Sequence, residues 1–148
     1  MNFLDLVRPS AKDIGSGQRI VRRYVETMTA NAASAALTAT STVCPPDTIR
    51  IIHTVCFITV AGAAQTNLWC SLVHNEGGGG ANITQTGMQF DLAPAAAGTS
   101  EKTLTGLEIA VMQSEVLIAT ANFNGGVAAN VMTCYVTGWE FPRGNLQR

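Results

Sequence analysis

The sequence predicts an all-β fold: an antiparallel β-sandwich, an eight-stranded jelly roll, carrying an extended N-terminal arm. Three observations lead there. Runs dominated by Thr, Val and Ile each stop at Gly, Pro, Asn or Asp, the punctuation of strands joined by loops. The runs are short, evenly spaced and eight in number, which suits two packed sheets. No convincing long helical pattern interrupts them. At 148 residues the chain makes one domain. That length can bury roughly 70% of the unfolded surface without disulfides or metals.

Residues 1–18 read as the arm and 19–148 as the sandwich domain. Asn2–Val7 suits a helical turn that docks Phe3, Leu4 and Leu6, and Pro9 and Gly15-Ser16-Gly17 then break any regular element. A first strand is expected over 19–27 and a second over 35–43. The alanines of Ala30–Ala39 favour helix, but the interspersed Ser and Thr and the following Thr40–Val43 tilt the segment toward extended chain. Pro45-Pro46-Asp47 closes it.

The third strand, 48–60, is the most constrained. Strict alternation puts Ile49, Ile51, His53, Val55, Phe57 and Thr59 on one face, and Arg50, Ile52, Thr54, Cys56, Ile58 and Val60 on the other. Both faces are mostly apolar, so both should be covered, one by the core and one by another subunit. Ala61-Gly62 ends this strand. Strands over 66–74 and 83–92 flank Gly77–Gly80, whose glycines suit close approach to another backbone. Pro94 to Gly98 leads into 102–111. The last strands, 114–123 and 130–141, flank Asn124-Gly125-Gly126, which reads as a hairpin loop.

Charge is divided unevenly. Residues 1–23 hold Arg8, Lys12, Arg19, Arg22 and Arg23 against Asp5 and Asp13, a net of +3. Residues 24–142 hold two bases against eight acids, a net of −6, and none of the bases lies after Lys102. A basic arm therefore precedes an acidic body, and such an arm meets something negative outside its own domain. An acidic protein surface is the expected partner. Nucleic acid is disfavoured, because binding it calls for more bases and interleaved aromatics, and Tyr24 alone is adjacent. Charged residues make up only 13% of the chain against a usual ~25%. A body this poor in charge is expected to be covered by neighbours in an assembly.

The search for chemistry yields little. His53 and His74 are the only histidines, and a metal site would need Glu76 or another third ligand. No GxSxG elbow or catalytic cysteine signature appears, and paired carboxylates among eight scattered acids arise by chance. No catalytic residue, metal or cofactor is expected. Cys44, Cys56, Cys70 and Cys134 form no CxxC pair, and read as buried, reduced thiols from a cytoplasmic assembly. Trp69 and Trp139 read as sheet packing, with a sugar-stacking platform as the functional alternative. Met1–Val7 contains Asp5 and runs into Arg8-Pro9, unlike a signal peptide. No run of about 18 apolar residues suggests a membrane helix.

The stretch Cys44-Pro45-Pro46-Asp47-Thr48-Ile49-Arg50-Ile51-Ile52-His53, followed by Ala61-Gly62-Ala63-Ala64-Gln65-Thr66-Asn67-Leu68-Trp69, resembles virion accessory proteins of tailed bacteriophages. Ser114–Phe123, Asn124-Gly125-Gly126 and Asn130–Pro142 fit the same style. The resemblance spans 45–142 and lies in strand and loop texture. It implies a capsid decoration, or cement, protein: a non-enzymatic jelly-roll body on the exterior of the virion, assembled in the host cytoplasm. It also implies a homo-oligomer, a trimer sooner than a dimer, with the major capsid protein as partner. The arm residues Phe3, Leu4, Leu6, Arg8, Lys12, Arg19, Arg22 and Arg23 would then anchor to the shell. The alternative is a carbohydrate- or receptor-binding sandwich of a phage fibre or tail.

Overall fold

The computed structural model describes residues 21–75, 97–125 and 127–142 in full, and the backbone of 82–92. Nine strands occur among the described residues, in chain order β1 Arg22–Ala33, β2 Ala36–Thr40, β3 Thr48–Ala61, β4 Gln65–Asn75, β5 Asn82–Leu92, β6 Gly98–Leu104, β7 Ile109–Val111, β8 Val116–Gly125 and β9 Ala129–Pro142. They form two antiparallel sheets. One runs β1-β9-β3-β6, with β7 also pairing β3, and the other runs β2-β8-β4-β5. The chain crosses between the sheets at each connection except β4 to β5, which pair within the second sheet, and β6 to β7, and the first strand pairs with the last. This is jelly-roll topology, with β6 and β7 sharing one place along the edge of β3.

The sandwich core follows from strand alternation. The first sheet sends in Met28, Ile52, Val55, Phe57, Met132, Cys134 and Val136, and the second Leu37, Leu68, Cys70, Leu72, Leu117 and Phe123, all buried. Each such Leu, Val or Phe contributes about 1.5–3 kcal/mol before ordering costs.

Three expectations need correction. The run 102–111 is two strands, β6 and β7, broken at Leu107, whose N–H donates to the His53 carbonyl at 3.0 Å. Asn124-Gly125-Gly126 does not join a hairpin, because β8 and β9 lie in different sheets. Gly125 serves the turn between sheets, where a Cβ would come within 2.4 Å of the Ala64 carbonyl oxygen. The third correction concerns β3. Its register against β9 shifts between Ile52 and Thr54. This bulge inserts one residue and reverses the alternation. Thr48, Arg50 and Ile52 therefore face inward with Val55, Phe57 and Thr59, while Ile49, Ile51, Cys56 and Ile58 face out.

Gly138 lies opposite the bulge and pairs Ile52. A Cβ there would stand 1.9 Å from the Ile51 carbonyl oxygen and 2.9 Å from Ile52 Cα, so backbone occupies the space a side chain needs. At the far end of the sandwich, the buried Asn130 ties two inter-sheet turns together. Its amide donates to the Ser34 carbonyl at 2.9 Å and its carbonyl accepts from Gly62 N–H at 3.0 Å.

The four cysteines are free. Burial pushes the Cys70 thiol up to about 12. Burial, with Cys70 and Cys56 nearby, raises Cys134 further, and burial also raises Cys44.

Two outcomes follow. Gly138→Ala should cost about 3 kcal/mol by overpacking. Gly106→Ala, at φ +70° with open space around it, should cost about 1 kcal/mol; urea denaturation checks the order. Unfolded thiols ionise near pH ~8.5 while the buried ones stay protonated, so the unfolded chain binds fewer protons above that pH. Under reducing conditions stability should fall from about pH 8.5 upward, by at most about 1.4 kcal/mol per pH unit for each buried thiol. Cys70→Ala should remove one thiol's share of that slope.

Candidate interaction surface

The outward face of the β1-β9-β3-β6 sheet carries the unusual chemistry. Strand register sets it out in rows. Arg23, Trp139, Ile51 and Ala110 cross β1, β9, β3 and β7 in one row. Thr27, Tyr135, Cys56 and Thr103 form a second, and Thr29, Thr133, Ile58 and Glu101 a third. Asn31, Val131, Val60 and Thr99 form a fourth. On β1, β9 and β3 the only formal charge facing out is Arg23. Several large apolar groups stay open to solvent: Val25 is 58% exposed, Trp139 44%, Tyr135 41% and Val60 38%. Trp139 therefore does not pack in the core, and Trp69 is half-buried on the other sheet.

At the Arg23 end the face holds a depression of about 300 Å³, lined by Arg23, His53, Thr137, Gly138 and Trp139. The bulge places His53 here. Its Nδ1 lies 3.2 Å from the Leu107 carbonyl oxygen. A carbonyl only accepts, so Nδ1 carries the proton and donates, and Nε2 is the remaining ring nitrogen.

A polar network centred on the buried Arg50 and Tyr24 supports this end from the core side. Arg50 is 5% exposed. Its Nε donates to Glu140 Oε2 at 3.1 Å, and Nη1 donates to the Thr42 carbonyl at 2.8 Å and to Tyr24 Oη at 3.4 Å. Its guanidinium also sits 4.3 Å from the centroid of the Tyr24 ring, within cation–π range. Tyr24 Oη donates to Glu26, and Glu26 accepts from Thr42 N–H at 2.5 Å and Thr42 Oγ1 at 3.1 Å. Burial, then the bond to Glu26, holds the Tyr24 hydroxyl well above the usual phenol range. Tyr24 and Glu140 directly adjoin Arg23 and Trp139 in the chain, so the network fixes the backbone from which those outward side chains project.

Sequence reasoning did not single out Arg50, Tyr24, Glu26, Glu140 or Gly138. One signal was present: Arg50 is the sole charge in the apolar run 49–60, and a charge in a covered strand demands partners. Of the expected anchoring residues, Phe3, Leu4, Leu6, Arg8, Lys12 and Arg19 lie outside the described residues. Arg22 and Arg23 open β1 and are exposed, opposite Glu140 and Trp139. The arm expected over 1–18 and the Gly77–Gly80 loop likewise lie outside them. Among the described residues, no group of three or more His, Cys, Asp or Glu side chains could hold a metal ion, and no helix is long and apolar enough to cross a membrane.

No protein family model matches the chain, and no curated protein matches its sequence. Solved structures give distant likenesses. A chain of the cyanophage Pam1 capsid is 18% identical, over 80% of this chain and 85% of its own, with a TM-score of 0.44. A chain of desmodium yellow mottle tymovirus is 10% identical, over 81% and 85%, with a TM-score of 0.42. The Drosophila NLP core, described for pentamer formation and histone binding, is 16% identical over 81% and 98%, at 0.37. At these values the likenesses assign no function. The jelly-roll assignment rests on the strand order itself.

Arg50→Ala should destabilise the fold by about 3 kcal/mol, the lower end for breaking a buried ion pair, because the Glu140 side chain is 24% exposed. Chemical denaturation with unchanged slope is the check.

Proposed function

We propose that this chain is a structural, non-enzymatic virion protein that decorates and stabilises a bacteriophage capsid. The observation that carries the reading is the outward sheet face beyond the Arg23 row. From Val25 to Asn31 and across β9 and β3 it presents Tyr135, Ile58, Val131, Val60 and hydroxyls, with no formal charge. Apolar faces of this kind mark association surfaces. Copies would associate through this half of the face, as a trimer sooner than a dimer, the order implied by the resemblance to decoration proteins.

The basic arm would hold the body to acidic patches of the major capsid protein on the virion exterior, after assembly in the host cytoplasm. Phe3, Leu4 and Leu6 supply its apolar part, and Arg8, Lys12, Arg19, Arg22 and Arg23 its charge. Burying two of those apolar side chains is worth roughly 3–6 kcal/mol. Ordering takes back about 1–2 kcal/mol for each fixed residue. One arm therefore binds weakly, and an oligomer presenting several gains by avidity. Arg22 and Arg23 contribute from within β1, so a clean truncation of the arm stops at residue 20.

The test uses two variants. Deleting residues 1–20 should preserve the β-sheet circular dichroism and abolish co-sedimentation with undecorated capsids. Tyr135→Glu should leave the fold intact and shift the mass in solution from oligomer to monomer by light scattering. Full decoration by the truncated chain, or a wild-type protein that stays monomeric at high concentration, would overturn the corresponding half of the proposal.

A further inference from the structure

The depression at the Arg23 end has features that self-association does not use. It combines an open indole, one guanidinium, one imidazole, one hydroxyl and bare backbone at Gly138 within about 300 Å³. That volume is at the small end for ligand sites. It suits one sugar ring. Among the described residues, Arg23 has no ion-pair partner; the acid opposite its neighbour, Glu140, is taken by Arg50.

The chemistry narrows the ligand. The exposed Trp139 ring offers a flat apolar platform for the C–H face of a ring. Arg23 offers a fork for a single carboxylate. His53 Nε2 and Thr137 Oγ1 offer hydrogen-bonding atoms for hydroxyls. A nucleic-acid strand would call for several cations along a track, and the described residues of β1, β9 and β3 put one on this face. The bulge that requires Gly138 is the same feature that presents His53 to the depression.

We propose that this depression binds a carboxylate-bearing saccharide, with Trp139 stacking on the ring, Arg23 pairing with the carboxylate, and His53 and Thr137 contacting hydroxyls. The site lies within one copy and does not rest on the decoration reading: a chain that fails to decorate capsids would still bind the sugar. It gives the exposed indole a use on the virion exterior or on any other surface the protein occupies.

The experiment is a titration of the full-length protein with N-acetylneuraminic acid and with glucuronic acid, against methyl glucoside as the neutral control. Binding is read from the indole N–H resonances, with the Trp139 signal assigned from Trp139→Phe. The acids should shift the Trp139 resonance saturably and bind about tenfold or more tightly than the neutral sugar. Trp139→Ala and Arg23→Gln should each weaken binding about tenfold or more, and Arg23→Lys should restore part of it. Both side chains are exposed, so the variants should melt like the wild type. No saturable shift with either acid, or an equal response to methyl glucoside, would overturn the proposal. So would loss of the oligomer in Trp139→Ala and Arg23→Gln without any sugar response, which would make the depression a contact between copies.

Discussion

One inserted residue decides what β3 does. Without the bulge at His53, Ile49 and Ile51 would share the core with Val55 and Phe57, and Arg50 would face solvent. With it, the strand reverses its phase halfway along, and Arg50 and Ile52 turn inward instead. The partner on the free edge changes at the same place, from β7 beside Arg50–Ile52 to β6 beside Val55–Ala61. Leu107 fills the junction by bonding the His53 backbone and ring. The neighbouring strand accommodates the crowded backbone only because residue 138 has no side chain. Bulge, glycine, partner switch and outward histidine are thus one constraint seen from four sides.

The inward turn of Arg50 creates an electrostatic cost that its surroundings must offset. Removing a charge from water costs several kcal/mol even after relaxation. One carboxylate near 4 Å returns about 4 kcal/mol at a dielectric of about 20, which does not cover two desolvated ions. The remainder comes from the Tyr24 ring, its hydroxyl and the Thr42 carbonyl. These partners come from β1, β9 and the segment after β2, so the ion acts as a clamp across three parts of the chain. Its contribution is to the position of those parts more than to net stability.

Much of this was legible in the sequence, and the failures have physical causes. The reading 48–60 matches Thr48–Ala61, 66–74 matches Gln65–Asn75, and 83–92 matches Asn82–Leu92, because β-branched runs with Gly or Pro ends carry a local signal. The first strand was expected over 19–27 but extends to Ala33, since pairing with β9 continues through Ala129 and alanine itself gives no strand signal. Asn124-Gly125-Gly126 has hairpin composition, yet glycine serves equally where a chain crosses between sheets. Period-two counting cannot register an inserted residue, so it grouped Ile49 and Ile51 on one face with Val55 and Phe57, where the bulge divides them, and hid the depression. The orientation of Trp139 escaped for a different reason: alternation shows that residues 138 and 140 oppose 139, and only the tertiary fold shows which of them is inside.

The pairing of β1 with β9 has a consequence for how the chain acquires its shape. Every partner of β1 in that ladder lies near the other terminus, from Arg22 with Glu140 to Ala33 with Ala129. The last strand is also the one inserted between β1 and β3. The larger sheet therefore has a gap at its centre until β9 has been made. A growing chain on the ribosome holds Ile52, Val55 and Phe57 without the strand that completes their side of the sandwich. Folding must wait for β9, proceeds slowly because its decisive contacts are distant in sequence, and passes through species whose unpaired strand edges attract other chains.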